Sequence, residues 1–136
     1  MKKKIAVILG DGIGPEVTQQ SIKVLNTIAK NYQHEFTYEH GLMGAIAIDE
    51  TGNPLPDETI KICLSSDAIL FGAIGDPKYD NNPDAKVRPE QGLLKLRKEL
   101  GLFANIRPIK AYPKLMNSSP IKKEVLQGTD FVVYRE

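Results

Sequence analysis

Five residues between positions 90 and 107 carry the chemistry that can be read from this chain: Glu90, Leu93, Leu94, Arg97 and Arg107. The first four stand at i, i+3, i+4 and i+7, the spacing that stacks side chains along one stripe of an α-helix. Glu90 and Arg97 are two turns apart, so they do not make the usual i,i+4 ion pair and each is left to meet something else. Arg107 sits between Ile106 and Pro108, and the proline that follows holds it extended. A guanidinium is a planar fork suited to bidentate capture of a carboxylate, and Arg135 supplies a third. An apolar pair beside guanidinium groups suits a small ligand that is both branched-aliphatic and multiply carboxylated. A plainer reading uses the same residues, with the leucines in a core and Arg97 and Lys98 on a solvated face. Spacing alone leaves both open.

Nothing in the chain supplies a catalytic acid, base or nucleophile by inspection: there is no Ser-His-Asp set, no nucleophile elbow and no carboxylate pair brought together by spacing. His34 and His40 flank a strand with no Cys, His or paired Asp at metal-ligand spacing, so no metal ligand is expected within these residues. The single cysteine, Cys63, excludes an internal disulfide framework. It falls on an apolar stripe with Ile60 and Leu64, where a buried thiol is expected.

The elements that must position these residues alternate. Lys4–Leu9 is a short β-branched run of the kind buried on both faces of a sheet. Gly10-Asp11-Gly12-Ile13-Gly14 turns the chain, and Pro15 starts a helix to about Lys30 whose inner stripe is expected at Val17, Ser21, Val24, Leu25 and Ile28. Glu35–His40 alternates like a half-exposed strand. A Gly-punctuated stretch then leads to a helix over Asp57–Ser65, followed by a buried strand over Ala68–Gly72. This β-α-β-α-β order implies a parallel sheet with helices on both faces. Ile74–Pro89 is a long polar loop, of a length more often functional than inert. Beyond the Glu90–Leu100 helix come an extended segment, a turn-rich link over Pro113–Pro120, a short helix near Ile121–Gln127 and a strand over Asp130–Glu136. That apolar last strand would leave an open sheet edge, so the chain is expected to be the N-terminal piece of something longer.

Composition narrows the class. The 136 residues hold 18 Lys plus Arg against 17 Asp plus Glu, and a net charge of +1 provides no field to draw in nucleic acid or a membrane surface. Lys2-Lys3-Lys4 reads as a solvated lead-in to the first strand. The apolar run behind it is too short for a signal peptide, and no segment reaches the ~20 apolar residues of a membrane span. The expectation is a soluble, cytoplasmic protein with no nucleic-acid or membrane partner.

Two glycine clusters invite a cofactor. Gly10-Asp11-Gly12-Ile13-Gly14 follows a strand and opens a helix, but the Rossmann fingerprint requires Gly or Ala where Pro15 stands. A tight strand-to-helix turn is the favoured reading of the residues. The Gly75-Asp76-Pro77 segment either cradles a ligand through backbone N–H groups or merely connects.

Taken together, GDGIGPEV at 10–17, GAIGDPKYD at 72–80, RPEQGLLKLRKELGLFANIRP at 88–108 and the final VYRE resemble the isocitrate/isopropylmalate family of β-decarboxylating dehydrogenases, in its isopropylmalate branch. The resemblance runs over essentially the whole chain. It implies an α/β fold with a mixed sheet and helices on both faces, truncated here and not a Rossmann dinucleotide fold. Residues 1–100 would be the N-terminal part of a cofactor/substrate domain, and 101–136 the incomplete start of a second, dimerisation/substrate domain. The implied activity is NAD-dependent, Mg2+- or Mn2+-assisted oxidative decarboxylation of (2R,3S)-3-isopropylmalate in leucine biosynthesis, by a homodimer. By the same resemblance Arg97, Arg107 and Arg135 clamp the malate carboxylates, and Leu93 and Leu94 face the isopropyl group. Glu90 lies between substrate and nicotinamide ribose, while Ile13, Gly75, Asp76, Pro77 and Lys78 line the cofactor track. The family's catalytic tyrosine, partner-subunit lysine and metal-binding aspartates come after VYRE and are not among residues 1–136, so the chain alone is expected to be inactive. An apolar pocket disfavours the third carboxylate of isocitrate, because burying an unpaired charge is costly. A relative acting on isocitrate, homoisocitrate or tartrate, or a non-catalytic binding module, remains the alternative. The family's usual Gly-Gly-Pro-Lys-Trp reads Gly75-Asp76-Pro77-Lys78-Tyr79 here, in a loop one residue longer. Asp76 brings negative charge near the expected pyrophosphate path.

Overall fold

The computed structural model describes residues 1–83 and 85–135; Asp84, in the long loop, and Glu136, the end of the expected last strand, lie outside the described residues. The elements, in order, are β1 (Lys2–Gly10), α1 (Gly14–Asn31), β2 (Glu35–Gly41), α2 (Ala45–Thr51), α3 (Asp57–Leu64), β3 (Ala68–Ala73), α4 (Pro77–Asp80), α5 (Pro89–Glu99), β4 (Asn105–Lys110), a 3-10 turn over Pro113–Ser118, α6 (Lys123–Leu126) and β5 (Asp130–Arg135). They form two compact units, Met1–Gly101 and Leu102–Glu136.

The first unit is a three-stranded parallel sheet in the order β2-β1-β3. The apolar run read from sequence occupies its centre, where Ala6, Val7 and Ile8 are fully buried. Successive strand residues point to opposite faces. Ala6 and Ile8, with Ile69 and Phe71 beside them, pack against Ile62 and Cys63 of α3, Leu96 of α5, and Met43 and Leu55 from the connections. The other face meets α1 at close range, since a Cβ at Gly72 would lie 2.8 Å from Thr18 Oγ1. Helices thus cover both faces.

Several local expectations need correction. The buried residues of α1 are Gly14 and Thr18, whereas Val17, Val24 and Ile28 are exposed. Gly14 and Thr18 face the sheet where its backbone is nearest, and Ser21 and Leu25 of the expected stripe follow them, half-buried. Leu64 is likewise exposed, while Cys63 is buried and burial pushes its thiol pKa up. Strand β3 is only partly buried, because it stands at a sheet edge. The three lysines are solvated as expected but belong to β1 itself, where Lys2 pairs with Glu35 and Lys4 with Glu39 of β2, and Lys3 with Asp67 just before β3. Two short helices, α2 and α4, were not expected. Helix α2 has no cap of its own sequence, and Asp11 from another segment supplies one.

In the second unit β4 and β5 form a two-stranded antiparallel ribbon, with Asn105 opposite Arg135 and Arg107 opposite Val133. Strand β5, apolar in sequence, is exposed along its length. Met116 is the large apolar residue buried in this unit among those described. A cavity of about 200 Å³ lies between the ribbon end at Ile109–Tyr112, Leu115 and Met116 of the 3-10 turn, and Leu126 of α6.

Candidate functional site

Parallel strands end together, and the carboxyl ends of β1 and β3 bring the two glycine turns side by side. The Asp11 amide donates to Ala73 O at 2.8 Å, and the Asp11 carboxylate accepts the Gly75 amide at 3.0 Å. Gly10, at φ +71°, leaves no space for a side chain: a Cβ there would lie 1.8 Å from Ala73 O. The crevice beyond the carboxyl ends of parallel strands is where ligands of open α/β sheets bind. Ile13 stands on its rim, 58% exposed, and the space at Gly12 is open.

Helix α5 closes one side. Pro89 opens it, Arg88 before it is extended, and Gln91 Oε1 accepts the Arg88 amide at 3.2 Å. Its inner face is Pro89, Gly92 and Leu96, with Leu93 and Leu100 partly buried against the same core. The leucine pair expected to face a ligand is therefore split. Leu93 packs on the core, and Leu94 is 63% exposed. Glu90, Leu94 and Arg97 together make the solvent-facing stripe. Glu90 also meets the loop, since a Cβ on Gly75 would lie 3.2 Å from its Oε1. Ile13, Gly75 and Glu90 are thus gathered in one region of the first unit.

The other loop residues are already engaged. Asp76 Oδ1 accepts the Lys78 amide at 2.8 Å and caps α4. The Lys78 ammonium lies 2.6 Å from Asp49 Oδ1, and the Tyr79 hydroxyl donates to the same oxygen at 2.7 Å. These two hydrogen bonds hold the Asp49 carboxyl below its usual range, and the same contacts raise Lys78 and Tyr79. Lys78 thus spends its charge on Asp49. Sequence reasoning singled out neither Asp49 nor Asp11 as an anchor; no spacing signal marks either, because their partners are 29 to 64 residues away.

In the second unit, cross-strand register places Asn105, Arg107 and Arg135 on one face of the ribbon, with the two arginines diagonal to each other. Arg107 Nε donates to Asn105 Oδ1 at 3.3 Å. Two guanidinium groups on one exposed ribbon face present forked donors of the kind that can capture an anion.

The residues fit the two expected cofactors unequally. Ile13 offers an exposed apolar contact, Gly12 and Gly75 let a ligand approach the backbone, and the Glu90 carboxylate can accept hydrogen bonds from ribose hydroxyls. These suit the nucleoside half of NAD, although no free cation among the loop residues Gly75–Lys78 faces a pyrophosphate. A divalent ion finds no such fit: among the described residues no three His, Cys, Asp or Glu side chains converge.

A model of the family described as isocitrate/isopropylmalate dehydrogenase matches residues 4–136. The chain is 59% identical over its full length to a 3-isopropylmalate dehydrogenase of Aquifex aeolicus, and 55% identical to one of Bacillus licheniformis. It spans 37% and 36% of those two proteins. Among solved structures, a β-decarboxylating dehydrogenase from Thermococcus kodakarensis superposes with a TM-score of 0.68 at 32% identity, covering 97% of this chain and 33% of that one. The α/β fold of this family expected from sequence is the one found, with parallel pairing in the first unit's sheet and antiparallel pairing in the second's. The glycine turns at the strand ends, the α5 stripe and these matches together establish that this chain belongs to the isocitrate/isopropylmalate dehydrogenase family.

Proposed function

We propose that the chain carries part of the substrate- and cofactor-binding surface of an NAD-dependent 3-isopropylmalate dehydrogenase of leucine biosynthesis, acting in the cytoplasm as a homodimer. The carrying observation is the exposed Glu90–Leu94–Arg97 stripe of α5, an apolar side chain between a carboxylate and a guanidinium. The names of the relatives at 55–59% identity support the same substrate. In this reading residues 1–100 are part of the cofactor/substrate domain and 101–136 the start of the second domain.

Arg97, Arg107 and Arg135 bind the malate carboxylates, and their forked donors orient the substrate. Leu94 meets the isopropyl branch, with Leu93 bracing it from the core side. Glu90 accepts hydroxyl groups of the nicotinamide ribose, and Ile13 packs on the cofactor above the Gly75–Lys78 turn. The chemistry NAD supplies when bound is acceptance of a hydride. Mg2+ or Mn2+ belongs to the family's reaction, but the described residues of this chain do not form its site. Residues 1–136 alone bind part of the substrate and do not turn it over.

The test joins residues 1–136 to the remaining sequence of the Bacillus licheniformis relative and follows NADH formation. The chimera is expected to oxidise 3-isopropylmalate in preference to isocitrate. Leu94→Ser should erode that preference by roughly 10- to 200-fold, the worth of a small apolar group in a pocket. A preference for isocitrate, or steady NADH formation by residues 1–136 alone, overturns the reading.

A further inference from the structure

The segment between β3 and α5 is held at two places by carboxylates that act through a single helix. Asp11, 5% exposed, accepts three backbone amides: Ala45 at 2.9 Å, Ile46 at 3.1 Å and Gly75 at 3.0 Å. Two of these begin α2, and the third begins the loop. One turn along α2 from Ala45 stands Asp49, which accepts the Lys78 ammonium and the Tyr79 hydroxyl. Between the two anchors, Pro77 restricts the backbone and Asp76 caps α4.

We propose that Asp11 and Asp49 are positioning residues that clamp the Gly75–Asp80 segment onto α2 and set Gly75 against Glu90 before any ligand arrives. This deepens the proposed cofactor site and rests on that reading. One anchor alone would leave the segment free to pivot; two anchors along one helix remove the pivot. Gly75 is at φ +122°, and the Glu90 carboxylate lies where its Cβ would make contact, so a small displacement of the segment changes the gap between them. A loop already ordered loses less conformational freedom on binding, which favours affinity. The positions at which the segment departs from the family's usual pattern, Asp76 and Tyr79, each make one of its bonds. The hydrogen bonds from Lys78 and Tyr79 favour the ionised form of Asp49 and hold its carboxyl below the usual carboxylate range. The ion pair is half exposed and screened by solvent, so the second anchor can open while the buried first one holds.

Residue-resolved amide exchange on the 136-residue chain tests the clamp, with Asp49→Ala and Asp11→Asn as variants. In Asp49→Ala the amides of Tyr79, Asp80 and Asn81, which close α4, should exchange about tenfold faster. Trypsin should cut after Lys78 correspondingly faster, while Ile46 and Gly75 stay protected by Asp11. Asp11→Asn puts an amide group where one acceptor oxygen stood, so Ile46 or Gly75 should lose protection with α4 unchanged. If that buried substitution unfolds the chain, Asp49→Ala decides, because Asp49 is exposed. Exchange of 79–81 within twofold of wild type, or uniform acceleration across the first unit, overturns the clamp. A parallel titration with NAD+, followed at Ile13 and Gly75, is expected to show weaker binding in Asp49→Ala. Unchanged NAD+ affinity despite faster exchange refutes the positioning role. If NAD+ binds neither protein while exchange responds as described, the clamp stands and the cofactor reading fails.

Discussion

Replacing Leu96 by alanine separates core from surface on the helix that carries the candidate site. Leu96 is 4% exposed and belongs to the cluster that joins α5 to the sheet. Losing most of a buried leucine forfeits about 1.5–3 kcal/mol of transfer free energy, and the unfilled space adds about 24 cal/mol per Å³. Collapse of the helix would reduce the second contribution, but α5 has no room to move inward. Gly92, one turn before Leu96, is already so close to the Pro54 backbone that a Cβ there would lie 2.6 Å from its carbonyl oxygen. The cost is therefore expected in the upper part of the usual range for such a substitution, about 3–5 kcal/mol. Leu94, two positions earlier and 63% exposed, should cost within about 0.5 kcal/mol when made alanine. Urea titration followed by far-UV circular dichroism measures both, with equal m-values certifying that midpoints report stability. Equal destabilisation by Leu94→Ala and Leu96→Ala would refute the assignment of the two faces, and with it the stripe on which the proposed substrate contact depends.

Gly92→Ala should destabilise by about 1–3 kcal/mol in the same titration, because its Cβ meets backbone rather than a flexible side chain. Stability should decline in acid partly through Asp67, whose carboxyl is held low by hydrogen bonds from the Lys3 ammonium and the Lys4 amide. Its folded pKa lies below the unfolded one, so its contribution is complete above the unfolded value and disappears as pH falls through the folded value. Asp67→Asn should flatten that part of the pH profile, and an unchanged profile would count against the pairing. Cys63, 3% exposed and with its thiol pKa raised by burial, should react with a disulfide reagent only as fast as the first unit opens; immediate reaction in native buffer would show the thiol to be accessible.

Much of the architecture was legible in local pattern. The run at Ile5–Leu9 could only be a central strand, because continuous β-branched sequence between turn residues has few other uses. The absence of the Rossmann fingerprint at Pro15, the helix expected over Glu90–Leu100 and found over Pro89–Glu99, and the extended Arg107-Pro108 step were equally visible. Hydrophobicity misled where packing distance mattered more. Val17, Val24 and Ile28 read as part of the inner stripe of α1, yet they are exposed; in the first turns, where the sheet backbone is nearest, Gly14 and Thr18 take the inner face, and Ser21 and Leu25 are half-buried beyond them. Leu93 and Leu94 looked like one pair, yet adjacent helix positions point about 100° apart, and the core took only one of them.

By itself the sequence determined the alternation of the main strands and helices and, through its motifs, the family. Tertiary structure alone decided which stripe of α5 faces solvent, that Arg107 and Arg135 share a ribbon face, and that Asp11 and Asp49 anchor the Gly75 segment through α2. The physical reason is range. Periodicity and turn chemistry act over a few residues, whereas a cross-strand register, or a carboxylate 64 residues from the amide it accepts, exists only once the chain has folded.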